Sequence, residues 1–516
     1  MQTVSAAFTA EEHDTNRSIT QSVQIAWKKS FNSAISFFTI GVSTIGGTDI
    51  IPAPDSSPSN WNKYQYTDES TKVTSLAYDR ELQQPIGGLS AGIAEIDFDN
   101  TSGRYTPRVM GGTASNSEIF TAVGKPARPF TINAGFNYSG VDNIIPQFVG
   151  LTDRPPAIDV RSKKVKLQGT DFIGYLQNKY VDNAAMFTYQ TTDQIIKSSL
   201  TTLGFSTAQY NLDHGINVVP FAEIEPGDRW GDFINKLVQA EDGIFYQDET
   251  GKLRFQNRQA WDASPYTNVQ RIITTAQVIE QANPNYDHIV NVVEIKSKPR
   301  AKQPQQLVWT LNSPITLPVG QTDFFIQFDD PMLAVSTPVY VANTLSDGSG
   351  TNATSNVQIH YQSNFVKNAK LTFNNVGTVP CYITAMTIYG RPAKVSTEIY
   401  TRLQDDSSVT AYSEKRFKLE NEYIGSQDWA NSFGQVILND YAEPENIQQI
   451  TIRAIPELQF GDLISWQGRY WRVFGISTKL DSGVGFIQTL KLLQRTPTSY
   501  FRIGISSIGG SDKIAP

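Results

Sequence analysis

The chain has 516 residues, 39% of them hydrophobic and 11% aromatic, which is more than one core can organise, so about three or four domains are expected. Charged residues reach only 18%, below the common proportion of about a quarter, which points to a β-rich chain with large contacting surfaces. The net charge of −7 offers no basic excess for free nucleic acid, and a single cysteine, Cys381, excludes an intrachain disulfide framework and a cysteine-built zinc site.

The opening residues MQTVSAAFTAEEHDTNRS lack both the basic and the apolar region of a signal peptide; the first 20 residues are polar and read as a loose arm, and strand-like text begins at Gln21. Apolar runs such as AISFFTIGV and HIVNVV are too short to span a bilayer, so synthesis in a cytoplasm is expected. Strand-like text follows, interrupted by the loop composition IPAPDSSPSN at 51–60. Ala94, Ile96 and Phe98 alternate with Glu95, Asp97 and Asp99, which predicts a strand with one acidic face closed by the turn NTSG. RPFTINAGF, IIPQFVGL and KKVKLQG predict further strands.

Helices enter next. Asp193 is placed to cap a segment carrying Ile195, Ile196, Leu200 and Leu203 and stopped by Gly204. After Gly227 and Asp228, the residues Trp230, Phe233, Ile234, Leu237 and Val238 fall on one helical face, and Gly243 leads into a hairpin turning at Glu249–Gly251. From about 305 to 395 short strands recur with Gly, Pro and Asn punctuation and no helical period, which predicts an inserted β-sandwich. Cys381 lies in one of these apolar strands, where a buried thiol is expected. A last helix is expected over 428–441, burying Trp429, Phe433, Ile437 and Leu438, and the strands beyond it suit a small barrel.

One motif repeats. FFTIGVSTIGGTDII at 37–51 returns as YFRIGISSIGGSDKI at 500–514, matching Phe38, Ile40 and Gly41 to Phe501, Ile503 and Gly504. Two similar strand–turn units are the plainer reading, and a shared docking element is the sharper one.

Enzyme motifs fare poorly. Gly88-Leu-Ser90-Ala-Gly92 matches a nucleophile elbow in spelling, but Pro85 precedes it and an alternating strand follows where a helix is required. Glu95, Asp97 and Asp99 sit at about 6.5–7 Å intervals along one strand face, near glycosidase spacing, yet nothing marks unequal environments, and a wetted acidic face or an acidic lumen is the preferred reading. The same residues fail as a calcium loop, because the twelfth position is Arg108. His13, His214, His288 and His360 are scattered without metal-ligand spacing. Neither a catalytic site nor a cofactor nor a metal is expected.

Several stretches together resemble the baseplate hub, or minor tail, proteins of long-tailed bacteriophages. AEIDFDNTSGRYTP resembles the acidic strand and its turn, and VGLTDRPPAI with VKLQGTDFIGYL resembles the next barrel strands and helix. EPGDRWGDFINKLVQAEDGIFYQDETGKLRF is similar to the hub helix–hairpin, while DSSVTAYSEKRFKLEN and ELQFGDLISWQGRYWRVFGI are similar to the closing part. The resemblance spans about 90–295 and 395–495, and no lytic domain follows.

It implies a mainly β fold with some α: hub-type small β-barrels with packed helices plus the inserted sandwich. The expected organisation is an arm (1–36), a first barrel-like domain (37–170), an α+β domain (171–300), the sandwich (301–395), a second barrel-like domain (396–498) and the C-terminal repeat (499–516). The implied role is a homotrimeric ring in a virion tail tip. Its partners would be the tail tube or distal tail protein, central tip or fibre proteins and the tape-measure protein, with DNA passing through unbound. An acidic lumen would suit that passage, since like charge keeps DNA off the wall. A peripheral receptor- or carbohydrate-binding tail module and a virion-associated glycosidase are the alternatives.

Overall fold

A computed structural model describes residues 1–13, 17–27, 66–106, 128–154, 156–263, 265–282, 288–364, 366–443, 447–481 and 485–494. The chain is mainly β, and its largest unit is a 14-stranded sheet. Its path runs from Val278–Gln281 through the C-terminal strands to Arg469–Asp481, crosses to Val73–Glu81, and continues through Ile93–Asp99 and Lys164–Thr170. It ends with Val141–Thr152, Pro129–Tyr138, Ile19–Ile25 and Thr67–Asp68.

This path corrects the expectation of two separate barrels. Val73–Glu81 and Arg469–Asp481 pair antiparallel, with Leu76 opposite Leu480, so both regions share one sheet, and among the described residues no sheet closes on itself. Alternating apolar residues specify which face of a strand is buried and say nothing about which edge it joins. On the N-terminal side the inward residues Val23, Leu76, Ile96, Phe98, Phe130, Phe148 and Leu167 meet in one buried cluster.

The arm is a second correction. Ala6–His13 is a helix whose Phe8 packs on Phe136 at 5.1 Å between ring centroids, and Ile19–Ile25 pairs with Pro129–Tyr138 over its whole length. ITQSVQI turns Val23 and Ile25 to the core and leaves polar residues outward, and a strand so short and polar gives little local signal. The repeat at 37–51 and 500–514 lies outside the described residues.

A second body holds the helices. Thr192–Thr202 is capped by Thr191 in a capping box with Gln194, two residues earlier than Asp193 would place it, and Gly204 leaves the helix at φ +84°. Trp230–Ala240 buries the expected face, and its Gly231 lies so close to the Phe172–Asn178 helix that an added Cβ would meet Gln177 Cα at 2.5 Å. The hairpin strands Ile244–Gln247 and Leu253–Gln256 follow. Gln427–Tyr441, capped by Ser426, packs on Val292–Ser297 and Ile399–Gln404; its Trp429 is only half-buried and donates Nε1–H to Ala240 O at 2.7 Å.

Between these two strands the chain makes an excursion. Val292–Ser297 and Ile399–Gln404 pair antiparallel with Ser297 opposite Ile399, so the chain leaves and re-enters at adjacent points. The excursion comprises one sheet organised on the long strand Cys381–Val395 and a three-stranded sheet of Gly320–Gln327, Asn368–Asn375 and Val357–Asn364. Leu317, Ile326, Phe373, Cys381, Ile383 and Ile388 fill the core between them, and burial pushes the Cys381 thiol pKa up.

Candidate functional site

The motif residues converge on turns and close approaches that hold the sheet and the helical body together. In DNTSGRYT, Asn100 Oδ1 accepts from Tyr105 N at 2.9 Å, Gly103 turns at φ +70°, and Asn100 Nδ2 donates to Thr106 Oγ1 at 2.6 Å. This geometry delivers Arg104 (2.6 Å) and the fully buried Tyr105 (2.7 Å) to the carboxylate of buried Glu69, which also accepts from Trp27 Nε1 at 2.8 Å. Four side chains thereby seal one end of the N-terminal core.

In VKLQGTDF, Asp171 caps the Phe172–Asn178 helix and also accepts from Gly92 N at 2.7 Å. Complete burial pushes its carboxyl pKa up to about 7, against the three backbone N–H donors that favour its charged form. In ELQFGD, Gly461 turns at φ +81° against Trp261, and Asp462 closes the turn by accepting from Gln459 N at 2.8 Å.

Behind these turns lies a polar junction that sequence reasoning missed. Arg80 and Glu249 form a buried ion pair at 2.6 Å, Gln459 Nε2 donates to the second Glu249 oxygen at 2.7 Å, and Arg80 lies over the Phe460 ring at 5.3 Å. The junction ties the Val73–Glu81 strand, the hairpin turn and the 456–462 loop to one another. A signal for Arg80 did exist: it continues the inward series Leu76, Tyr78. Glu249 gave none, because DETG reads as a solvated hairpin turn.

The acidic row sits where the alternation places it, half-exposed on Ile93–Asp99. Opposite it, Lys166 faces Asp97 and Lys164 faces Asp99 in register. Glu95 pairs with Lys166 at 3.0 Å and accepts from Gln168, so the face carries its own counter-charge. Hydrogen bonding from Lys166 holds the Glu95 carboxyl below its ordinary range, and the Thr101 backbone N–H does the same for Asp99. A glycosidase acid needs the opposite shift.

Ser90 is half-buried and its backbone N–H donates to Phe245 O at 3.2 Å, so GLSAG is an extended link lying against the hairpin, followed by a strand. His214 lies on the surface 3.7 Å from Asp193, and His288 and His360 are exposed. Among the described residues no group of three or more His, Cys, Asp and Glu is gathered to hold a metal ion, and no helix is long and apolar enough to cross a membrane.

No family model and no curated protein matches the chain. The solved structures similar to it are all distant. The 43 kDa tail protein of prophage MuSo2 from Shewanella oneidensis is similar at a TM-score of 0.44 and 11% identity, covering 83% of this chain and 95% of that one. The tail protein from Neisseria meningitidis MC58 is similar at 0.44 and 8%, covering 92% and 96%. The E. coli c3393 protein is described as a component of the type VI secretion system, similar in structure to T4 bacteriophage tail proteins gp27 and gp5. It is similar at 0.38 and 9%, covering 82% and 74%.

The inserted unit meets the helical body through charge. Lys367 reaches both Glu223 and Glu225 at 3.2 Å, and Arg300 lies 3.8 Å from Glu223 and 3.4 Å from Asp330. Its outward sheet face exposes Leu307, Val339, Val341 and Tyr389, with Val339 opposite Thr387 and Leu307 opposite Tyr389.

Proposed function

We propose that the chain is a structural component of a bacteriophage tail tip: a hub subunit that closes, as a homotrimer, into a ring between tail tube and distal tip, around the channel for DNA. The observation that carries this reading is that the hub-like motifs, in their shared order, coincide with turns and contacts that seal the sheet core or join the sheet to the helical body. AEIDFDNTSGRYTP seals the sheet core through Glu69, the helix–hairpin supplies Glu249, and ELQFGD supplies Gln459 beside it. Such a framework is built for rigidity, as a ring wall requires.

In this reading the sandwich at 301–395 is an independent unit on the outside of the ring, because its entry and exit strands are neighbours and its core is its own. The partners are further copies of the chain, the tail-tube or distal tail protein, the tape-measure protein and central tip or fibre proteins. The row Glu95, Asp97, Asp99 is a solvated face with a structural role, and the chain is not an enzyme. The test is the position and symmetry of the chain in cryo-EM density of a whole tail tip. An axial ring of three copies is expected, and one or twelve copies per tail would refute it.

A second reading has one observation in its favour. The exposed sandwich face bearing Leu307, Val339, Val341 and Tyr389 suits a peripheral attachment module. A peripheral position in the same density would select it.

A further inference from the structure

The N-terminal helix Ala6–His13 is fastened to the rest of the chain at a site that is short of one positive charge. Glu12, from this helix, and Glu457, from the loop after Ile447–Arg453, are both buried, and among the described residues the cation paired with both is Arg271 of Val269–Ile273. Arg271 donates to Glu12 Oε2 and lies 3.9 Å from Glu457 Oε1. Glu12 Oε1 and both Glu457 carboxylate oxygens have no hydrogen-bond partner among the described groups. Two buried carboxylates on one guanidinium leave a net negative charge with unsatisfied oxygens, which an interior of low dielectric strongly disfavours.

We propose that this pair is a proton latch: a proton on Glu457, facing the Glu12 carboxylate, holds residues 1–13 against the sheet, and loss of that proton loosens them. The other contacts of this segment are few and mixed. Gln2 donates through its backbone to Glu457 O at 2.8 Å and through Nε2 to Pro146 O at 2.9 Å, and Phe8 rests among Phe136, Ala454 and Phe486. Loosening would therefore bare an apolar seat.

The surrounding charges do not remove the need for the proton. Arg17 is turned to Ala454 O at 2.9 Å, with Glu11 and Glu12 near it on one side and Arg453 on the other. The Met1 nitrogen is engaged by Asp462 at 2.6 Å. Burial first, and then the Glu12 charge, raise the Glu457 carboxyl to about 7. An acid whose pKa is higher when docked than when free binds its proton more tightly in the docked state. Docking is then strongest at low pH and weakens as pH climbs from the ordinary carboxyl range through about 7.

Hydrogen–deuterium exchange of the full chain tests this, comparing peptides covering 1–13 at pH 6 and pH 8 after correction for intrinsic rates. Protection is expected to fall about tenfold in the wild type, and by less than about threefold in Glu457→Gln, whose amide keeps the shape without titrating. Peptides from the buried helix Trp230–Ala240 serve as the folding control. Should Glu457→Gln fail that control, Glu12→Gln is read in the same way. Equal protection at both pH values in the wild type overturns the latch. So does an undiminished fall in the folded Gln variant, which would assign the pH response to another group such as the Met1 nitrogen on Asp462.

Discussion

Replacing Glu249 with Ala removes the acceptor that buried Arg80 and half-buried Gln459 share. Arg80 would keep the face of Phe460, an attraction of about 0.5–2 kcal/mol, and the field of Asp171, while its guanidinium stays buried with its paired carboxylate gone. Gln459 Nε2 would lose its 2.7 Å bond as well. Breaking one side of a buried ion pair costs about 3–5 kcal/mol, chiefly from the stranded charge, whereas replacing both partners with apolar residues of similar volume is often near neutral. Glu249→Ala and Arg80→Met should therefore each destabilise the chain by about 3–5 kcal/mol, and Arg80→Met/Glu249→Leu by less than either alone. Urea unfolding followed by tryptophan emission measures this, with Trp61 and Trp309 replaced by Phe in every variant so that the signal comes from the sheet and helical body. Single-variant losses below about 1 kcal/mol, or a double variant equal to the sum of the singles, would refute the claim that this pair fastens the hairpin to the sheet.

Three further outcomes are expected. Gly231→Ala drives a Cβ to 2.5 Å from Gln177 Cα, a backbone atom that cannot yield cheaply, and should cost about 1–3 kcal/mol in the same titration. Ser90→Ala, and Asp97→Asn with Asp99→Asn, should leave ester and glycan hydrolysis by assembled tails unchanged; a loss of orders of magnitude would restore the enzyme readings. Replacing 301–395 by a short Gly/Ser bridge should leave the rest folded and ring-forming, because Ser297 and Ile399 already lie opposite each other. Loss of assembly, seen by negative-stain imaging, would instead make the sandwich part of the ring wall.

Much of the local structure was legible without coordinates because its causes are local. Period-two alternation placed Ala94, Ile96 and Phe98 inward, the i, i+3, i+4 spacing put Trp230, Phe233, Ile234, Leu237 and Val238 on one buried face, and DETG turned the hairpin where expected. The recurrence of short strands through 305–395 marked a region whose side chains now share one core. What escaped was set by contacts between residues far apart in the chain. No pattern within Val73–Glu81 says that its free edge will meet Arg469–Asp481, nearly four hundred residues away, since edge pairing is decided by which strands the remaining fold brings alongside. The N-terminal arm looked loose because its own residues bury little, and it docks because Phe136, Phe486 and Arg271, all remote in sequence, provide the surface. Charges obey the same logic. Composition shows how many carboxylates there are, but whether one is solvated like Asp99, countered like Glu95, or shut in with another like Glu457 depends on burial and neighbours, which exist only once the chain has folded.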